Sequence, residues 1–141
     1  MREGGLRERA LALGLVDADE RLVRMALLEL QESLPETLLP VLVSRVIRSG
    51  RDVELRALGV RALRRSRSNL ALETLLELCS GGRSILGRMK LAATTAEVVS
   101  ALQVLDEVWA ENPRALELLH LARKSKDPRL LRALSGKDAD R

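Results

Sequence analysis

Residues 38–63, LLPVLVSRVIRSGRDVELRALGVRAL, carry the pattern that decides the fold. Apolar residues recur in this stretch at spacings of three and four, which is typical of amphipathic helices. The spacing predicts one helix from about residue 35 to 48, ended by Ser49-Gly50, and a second from residue 52 to about 65. Pro40 stands close enough to the start of the first helix to bend it without destroying it. The stretch therefore predicts a pair of helices joined by a tight turn.

The same periodicity continues along most of the chain and predicts about eight short helices. They group into helix pairs at about residues 6–32, 35–65, 68–110 and 113–134, followed by a frayed tail at 135–141. The third pair is interrupted by residues 81–94, which contain three Gly, two Arg and one Lys. That segment predicts a long inserted connection with a short extended piece.

The composition argues against sheets and against catalysis. The chain has 141 residues, of which 46% are hydrophobic, but it contains one Trp and neither Tyr nor Phe. Since strands favour aromatic and β-branched residues, a β-sandwich or β-barrel is improbable. One His and one Cys leave few groups for nucleophilic chemistry, proton transfer or metal binding. We therefore expect one all-α domain, without enzyme activity, cofactor or metal.

Residues 35–65 resemble a repeat of the HEAT family. That pattern has Leu-Leu-Pro-x-Leu near the start of its first helix, an Asp in the turn, and then an apolar-Arg step followed by spaced Ala and Leu. The matching residues are Leu38, Leu39, Pro40, Leu42, Asp52, Leu55, Arg56, Gly59, Ala62 and Leu63.

The other helix pairs match this pattern less closely. Overlaying residues 20–24 on 52–56 gives an offset of 32 residues and places Glu20 at the position of the turn Asp. The last pair has Asp127-Pro128 in its turn, with Leu131-Arg132 one residue late. The third pair departs most, since Ser100 stands where the Arg is expected.

The resemblance implies a right-handed α-solenoid of about four HEAT-like helix pairs that forms a single domain over residues 1–141. It also implies a protein-interaction module or scaffold of bacterial type, whose partner lies on the row of second helices. The residues expected to bind that protein partner are Leu22, Met25, Glu29, Arg61 and Arg64.

Binding of DNA, RNA or another polyanion is the alternative. Residues 45–67 hold eight Arg against two acids, and the candidate anion contacts are Arg61, Arg64, Arg65, Arg83, Arg88 and Lys90. Two features favour the protein partner. Arg61 and Arg64 are expected beside Glu29 and Glu32 of the preceding pair, and no aromatic series is present to stack bases.

The sequence also bears on where the protein resides and whether it self-associates. Charges interrupt every apolar run before the roughly 18 residues that a membrane span requires, and no secretory signal is recognised near the N-terminus. A single cysteine, Cys79, cannot form an internal disulfide and is read as a small apolar residue. We therefore expect a cytoplasmic protein without membrane contact. Because the last pair ends soon after Leu130, Leu131 and Leu134, the chain is expected either to be part of a longer array or to self-associate through a terminal pair.

Overall fold

The computed structural model describes the backbone of residues 2–83 and 89–139 and the side chains of residues 5–81 and 90–134. The chain is predominantly helical, which confirms the predicted all-α class. Its tertiary contacts divide it into two compact units, unit 1 (Met1–Ala71) and unit 2 (Leu72–Arg141). None of the described helices combines the length and the apolar character needed to cross a bilayer.

Unit 1 is built from two helix pairs. Its helices are α1 (Arg2–Leu15), α2 (Glu20–Glu32), α3 (Leu39–Leu42) and α4 (Val53–Ala62). Helix α1 packs on α2 and α3, and α2 packs on α4. Helices two apart in the chain therefore lie against each other, so unit 1 is layered and buries one leucine-rich core. The largest of its buried side chains are Leu15, Leu27, Leu30, Leu42, Ile47, Leu55 and Leu63.

The helix that the sequence predicts at 35–48 has three backbone conformations. A 3-10 turn (Glu36–Leu38) precedes α3, and a π-helical turn (Val43–Ile47) follows it, with the Arg48 amide donating to the Val43 carbonyl at 2.9 Å. Gly59 of α4 packs here. A Cβ on Gly59 would lie 3.1 Å from Cγ1 of Ile47 and 3.2 Å from Cγ1 of Val46. The glycine thus permits a close approach of the two helices.

Aspartate side chains cap α2 and α4, the second helices of unit 1. The carboxylate of Asp19 accepts from the Arg21 amide at 2.9 Å, and that of Asp52 accepts from the Glu54 amide at 3.2 Å. Asp19 thus caps α2 from the position before Glu20, as Asp52 caps α4 from the position before Val53. The Arg24 side chain then reaches Glu54 across the two helices at 3.5 Å.

The described residues of unit 2 form four helices and a β-hairpin. After α5 (Asn69–Cys79), which begins just before the boundary, come β1 (Ser80–Arg83), β2 (Met89–Leu91), α6 (Ala96–Val108), α7 (Pro113–Lys124) and α8 (Pro128–Ala139). Helix α7 packs on α6, α8 and β2, and α6 also packs on α8. Where the sequence predicted a frayed tail from residue 135, α8 continues to Ala139.

The extended piece predicted within residues 81–94 is confirmed as an antiparallel hairpin. Ser80 pairs with Leu91, and the Ala92 amide donates to the Cys79 carbonyl at 2.7 Å. A Cβ on Gly81 would lie 2.7 Å from the Leu91 carbonyl oxygen, so the hairpin needs glycine at this position. The connection at residues 84–88 lies outside the described residues.

Ion pairs join the helices of unit 2. Arg123 of α7 donates to Asp106 of α6 at 2.9 Å, and Arg114 of α7 donates to Glu73 of α5 at 2.8 Å. The Asp106 carboxylate is largely buried, so its contact with Arg123 matters more than a pair between two exposed side chains.

Candidate partner-binding site

An apolar groove runs between α1 and α2 in unit 1. It has a volume of about 720 Å³. The large side chains along it are strongly exposed: Leu13 by 69%, Met25 by 62%, Leu28 by 52% and Leu22 by 43%. Isolated exposed leucines are common on protein surfaces, but a contiguous apolar patch marks an interaction surface.

Small residues allow α1 and α2 to lie close together beneath this groove. A Cβ on Gly14 would be 3.1 Å from the Cβ of Ala26, and Ala10 lies on the same side of α1. Leu11 and Ala26 are buried and form the floor. Since the contact between the helices uses small side chains, the larger Leu13 and Met25 are left on the outside.

The rim of the groove carries charges of both signs. The Arg7 guanidinium of α1 donates to the Glu29 carboxylate of α2 at 3.2 Å, and both side chains remain largely exposed. At the other end, Asp17 accepts from the Asp19 amide at 2.7 Å. Arg51 fixes that end from beneath by donating to the carbonyl oxygens of Leu15 and Asp17, at 3.2 and 2.7 Å. The apolar centre is thus bordered by polar groups, as protein interfaces are.

The structure brings together three of the five residues predicted to bind a partner. Leu22, Met25 and Glu29 line the groove. Arg61 and Arg64 lie outside its lining, Arg61 exposed on α4 and Arg64 half-buried in the 3-10 turn Leu63–Arg65 that follows it. The Arg64 Nε is buried and has no hydrogen-bond partner within the described part of the chain.

The charge neighbours of Glu29 differ from the expectation. The sequence placed Arg61 and Arg64 beside it, whereas the cation that contacts Glu29 in the structure is Arg7. The overlay of helix pairs could not reveal this contact, because it considered only the row of second helices and Arg7 belongs to α1.

Leu13, Leu28 and Arg7 are groove residues that the sequence reasoning missed. A signal was present in α1, where Leu11 and Leu15 predict one buried face. Leu6 and Leu13, seven residues apart, lie on a different face. A helix with apolar residues on two faces has more apolar surface than a single neighbouring helix covers.

The remaining residues proposed for anion binding have different environments in the structure. Arg65 donates through Nε to the Gln31 carbonyl at 2.8 Å, so it satisfies the end of α2. Lys90 is exposed on β2. The side chain of Arg83 and the whole of Arg88 lie outside the described residues.

The described residues offer little for chemistry. Burial in apolar surroundings raises the pKa of the Cys79 thiol to about 12, so the thiol stays protonated near neutral pH and is a poor nucleophile. Within the described side chains, His, Cys, Asp and Glu form no group of three or more that could hold a metal ion. The groove between α1 and α2 is therefore the strongest candidate for a functional site.

Comparison with protein-family models, with curated proteins and with solved structures gives no match to this chain.

Proposed function

We propose that this protein is a non-catalytic, cytoplasmic interaction module built as a HEAT-like solenoid, and that it binds a protein partner through the groove between α1 and α2. The packing within each unit supports the solenoid: α2 lies on α4 in unit 1, and α6 lies on α8 in unit 2. Stacking of helices two apart in the chain is what a repeat of helix pairs requires.

The exposed apolar lining of the groove carries this proposal. Four large apolar side chains, Leu13, Leu22, Met25 and Leu28, stand on its walls with between 43% and 69% of their surface exposed. Covering them releases water at a free-energy gain of about 25 cal/mol for each Å² of apolar surface buried. A partner that covers them therefore gains affinity from a surface that otherwise costs solubility.

The spacing of these residues favours a partner that presents amphipathic helices. Leu22, Met25 and Glu29 follow one another at intervals of three and four along α2, and Ala10 and Leu13 are three residues apart on α1. Two antiparallel helices with such rows form a surface that packs against the apolar faces of other helices. Met25 suits this role because its flexible thioether side chain adapts to different contacts.

Site-specific photo-crosslinking tests the proposal. The variant Met25→benzoylphenylalanine, produced in cells and irradiated, is expected to yield discrete adducts heavier than the chain. The matched control places the same photoreactive group at Ser44, which is exposed in unit 1 and lies outside the groove lining. Adducts at neither position, or the same adducts at both, would contradict the proposal.

Duplex DNA provides the second arm of the test. If the arginines were a nucleic-acid surface, binding would be micromolar or tighter at low salt and would weaken by orders of magnitude between about 50 and about 200 mM salt. We expect no binding at either concentration. Salt-sensitive binding that is lost in Arg61→Ala would favour a polyanion-binding protein instead.

A further inference from the structure

We propose that the occupant of the groove is a second copy of this chain, so that two α1–α2 faces pack together around a two-fold axis. This inference rests on the proposed function and names its partner. Of the ten large hydrophobic side chains exposed among the described residues, four line this one groove: Leu13, Leu22, Met25 and Leu28.

The leucines of the last helix pair, which led the sequence to predict self-association through a terminal pair, are mostly covered within unit 2. Leu130 and Leu134 of α8 are buried within unit 2, and only Leu131 is substantially exposed. These leucines are therefore already used by their own unit. The apolar surface that remains to be covered lies instead on α1 and α2.

The level of each groove residue, meaning its position along the axes of α1 and α2, suits a two-fold arrangement. Helices α1 and α2 are antiparallel, and the Gly14–Ala26 contact puts the neighbouring Leu13 and Met25 at about the same level. A two-fold axis parallel to the helices lays α1 of each copy over α2 of the other without changing these levels. Leu13 of one copy then meets Met25 of the other, and the small Ala10 leaves room for Leu28.

The same two-fold rotation places opposite charges of the two copies against each other. Arg7 stands on one wall and Glu29 on the other, at one level, 3.2 Å apart. The two-fold axis brings Arg7 of each copy opposite Glu29 of the other, which produces a ring of four alternating charges. A groove with a rim of one sign would repel its own copy, whereas this rim attracts it.

Sedimentation equilibrium of the purified full chain tests the dimer. We expect a monomer–dimer equilibrium that is weakened about a hundredfold by Leu13→Glu, because the substitution places a charge at the centre of the interface of both copies. Leu116→Glu is the matched control, since Leu116 is also exposed but lies on α7 in unit 2. Unchanged circular dichroism of both variants would show that folding is intact. Equal dimerisation of the two variants would contradict the proposal.

Charge reversal distinguishes pairing between copies from the Arg7–Glu29 pair within one copy. Arg7→Glu alone and Glu29→Arg alone are each expected to weaken self-association about tenfold, because like charges then face each other across the interface. Mixing the two variants should restore association, since a rim with two carboxylates on one copy then faces a rim with two guanidinium groups on the other. A contact that mattered only within a chain would remain broken in the mixture, and that result would overturn the proposed pairing.

The outcomes separate this inference from the function on which it rests. A parent chain that stays monomeric at all accessible concentrations, while the photoreactive group at Met25 gives adducts of a mass other than twice that of the chain, would overturn the second copy and retain the interaction module. A monomer without adducts would overturn both. A dimer abolished by Leu13→Glu, with adducts of twice the chain mass, would support both.

Discussion

Helices α2 and α8 begin with nearly the same six residues and bury different faces. The first reads DERLVR at residues 19–24 and the second DPRLLR at residues 127–132. In both, the Asp carboxylate accepts from the amide two residues later at 2.9 Å, and the Arg at that position returns a guanidinium contact to it, at 3.1 Å in α2 and 3.3 Å in α8. The two starts are therefore the same structure.

The two helices differ in which of the next two residues is buried. In α2, Leu22 is 43% exposed and Val23 is buried, whereas in α8 the corresponding Leu130 is buried and Leu131 is 41% exposed. Adjacent helical positions point about 100° apart, so the two helices are turned by that angle relative to their own cores.

Residues further along each helix account for this rotation about the helix axis. After the shared start, α2 continues with Ala26, Leu27 and Leu30, all buried, and these extend the face of Val23. In α8 the positions that correspond to Leu27 and Leu30 are the polar Ser135 and Asp138, so the apolar face follows Leu130 and Leu134 instead. The difference teaches that the cap fixes where a helix starts and the later residues fix which face is buried. It is this turn in α2 that leaves Leu22 on the groove.

Truncating the same residue in the two helices is expected to give the largest contrast. Leu130→Ala should lower the free energy of unfolding by about 2–5 kcal/mol, because it opens a cavity in a packed core. Leu22→Ala, whose side chain is already half exposed, should cost less than about 1 kcal/mol. Urea unfolding followed by circular dichroism, at a concentration low enough to keep the chain monomeric, measures both losses. Losses of equal size would mean that the two helices present the same face.

The sequence predicted the helices well because their determinants are local. Periodicity, the Ser49-Gly50 stop and the helix start at Asp52 are read within a few residues, and in the structure α4 begins at Val53 with Asp52 as its cap. The π-helical turn after Pro40 was not predictable in this way. It lies where Val46 and Ile47 pack against Gly59 of α4, a contact between residues distant in sequence.

The candidate site was predicted only in part. The resemblance to HEAT repeats predicts Leu22, Met25 and Glu29 on a partner surface because it places that surface on the second helices, of which α2 is one. The opposite wall, with Arg7 and Leu13, depends on how α1 is rotated against α2. The close contact of Gly14 with Ala26 accompanies that rotation and is a tertiary feature that a pattern within one helix does not contain.

The two caps should respond to acid in the same direction. The pKa of Asp19 is lowered, mainly by its hydrogen bond from the Arg21 side chain, and that of Asp127 is lowered by the Arg129 amide and then by Thr94 and the Arg129 side chain. A pKa lower in the folded than in the unfolded state contributes stability that is present above the unfolded value of 3.8 and is lost as the pH falls through the folded value.

Substitution by asparagine isolates this contribution, because asparagine also caps helices but does not titrate. Asp19→Asn and Asp127→Asn should each make the urea midpoint fall less steeply with pH below about 4. The expected direction is the same for both residues, because hydrogen bonds to the ionised carboxylate lower the pKa of each. Variants whose acid profiles match that of the parent would show that the two carboxylates do not favour the charged form on folding.

The last residue of the shared start gives the smallest expected difference. Arg24 reaches Glu54 of α4 at 3.5 Å, whereas the corresponding Arg132 donates to the Pro128 carbonyl of its own helix at 3.4 Å. Both side chains of the Arg24–Glu54 pair are about half exposed or more, so a double-mutant cycle with Arg24→Ala and Glu54→Ala should give a coupling of about 0.2–0.5 kcal/mol. The coupling should shrink as salt is added. Arg132→Ala should change the free energy of unfolding within about 0.5 kcal/mol, as surface substitutions usually do. A coupling above about 1 kcal/mol would exceed what exposed pairs provide, and it would make this contact part of what holds α2 on α4 and not only an addition to their apolar packing.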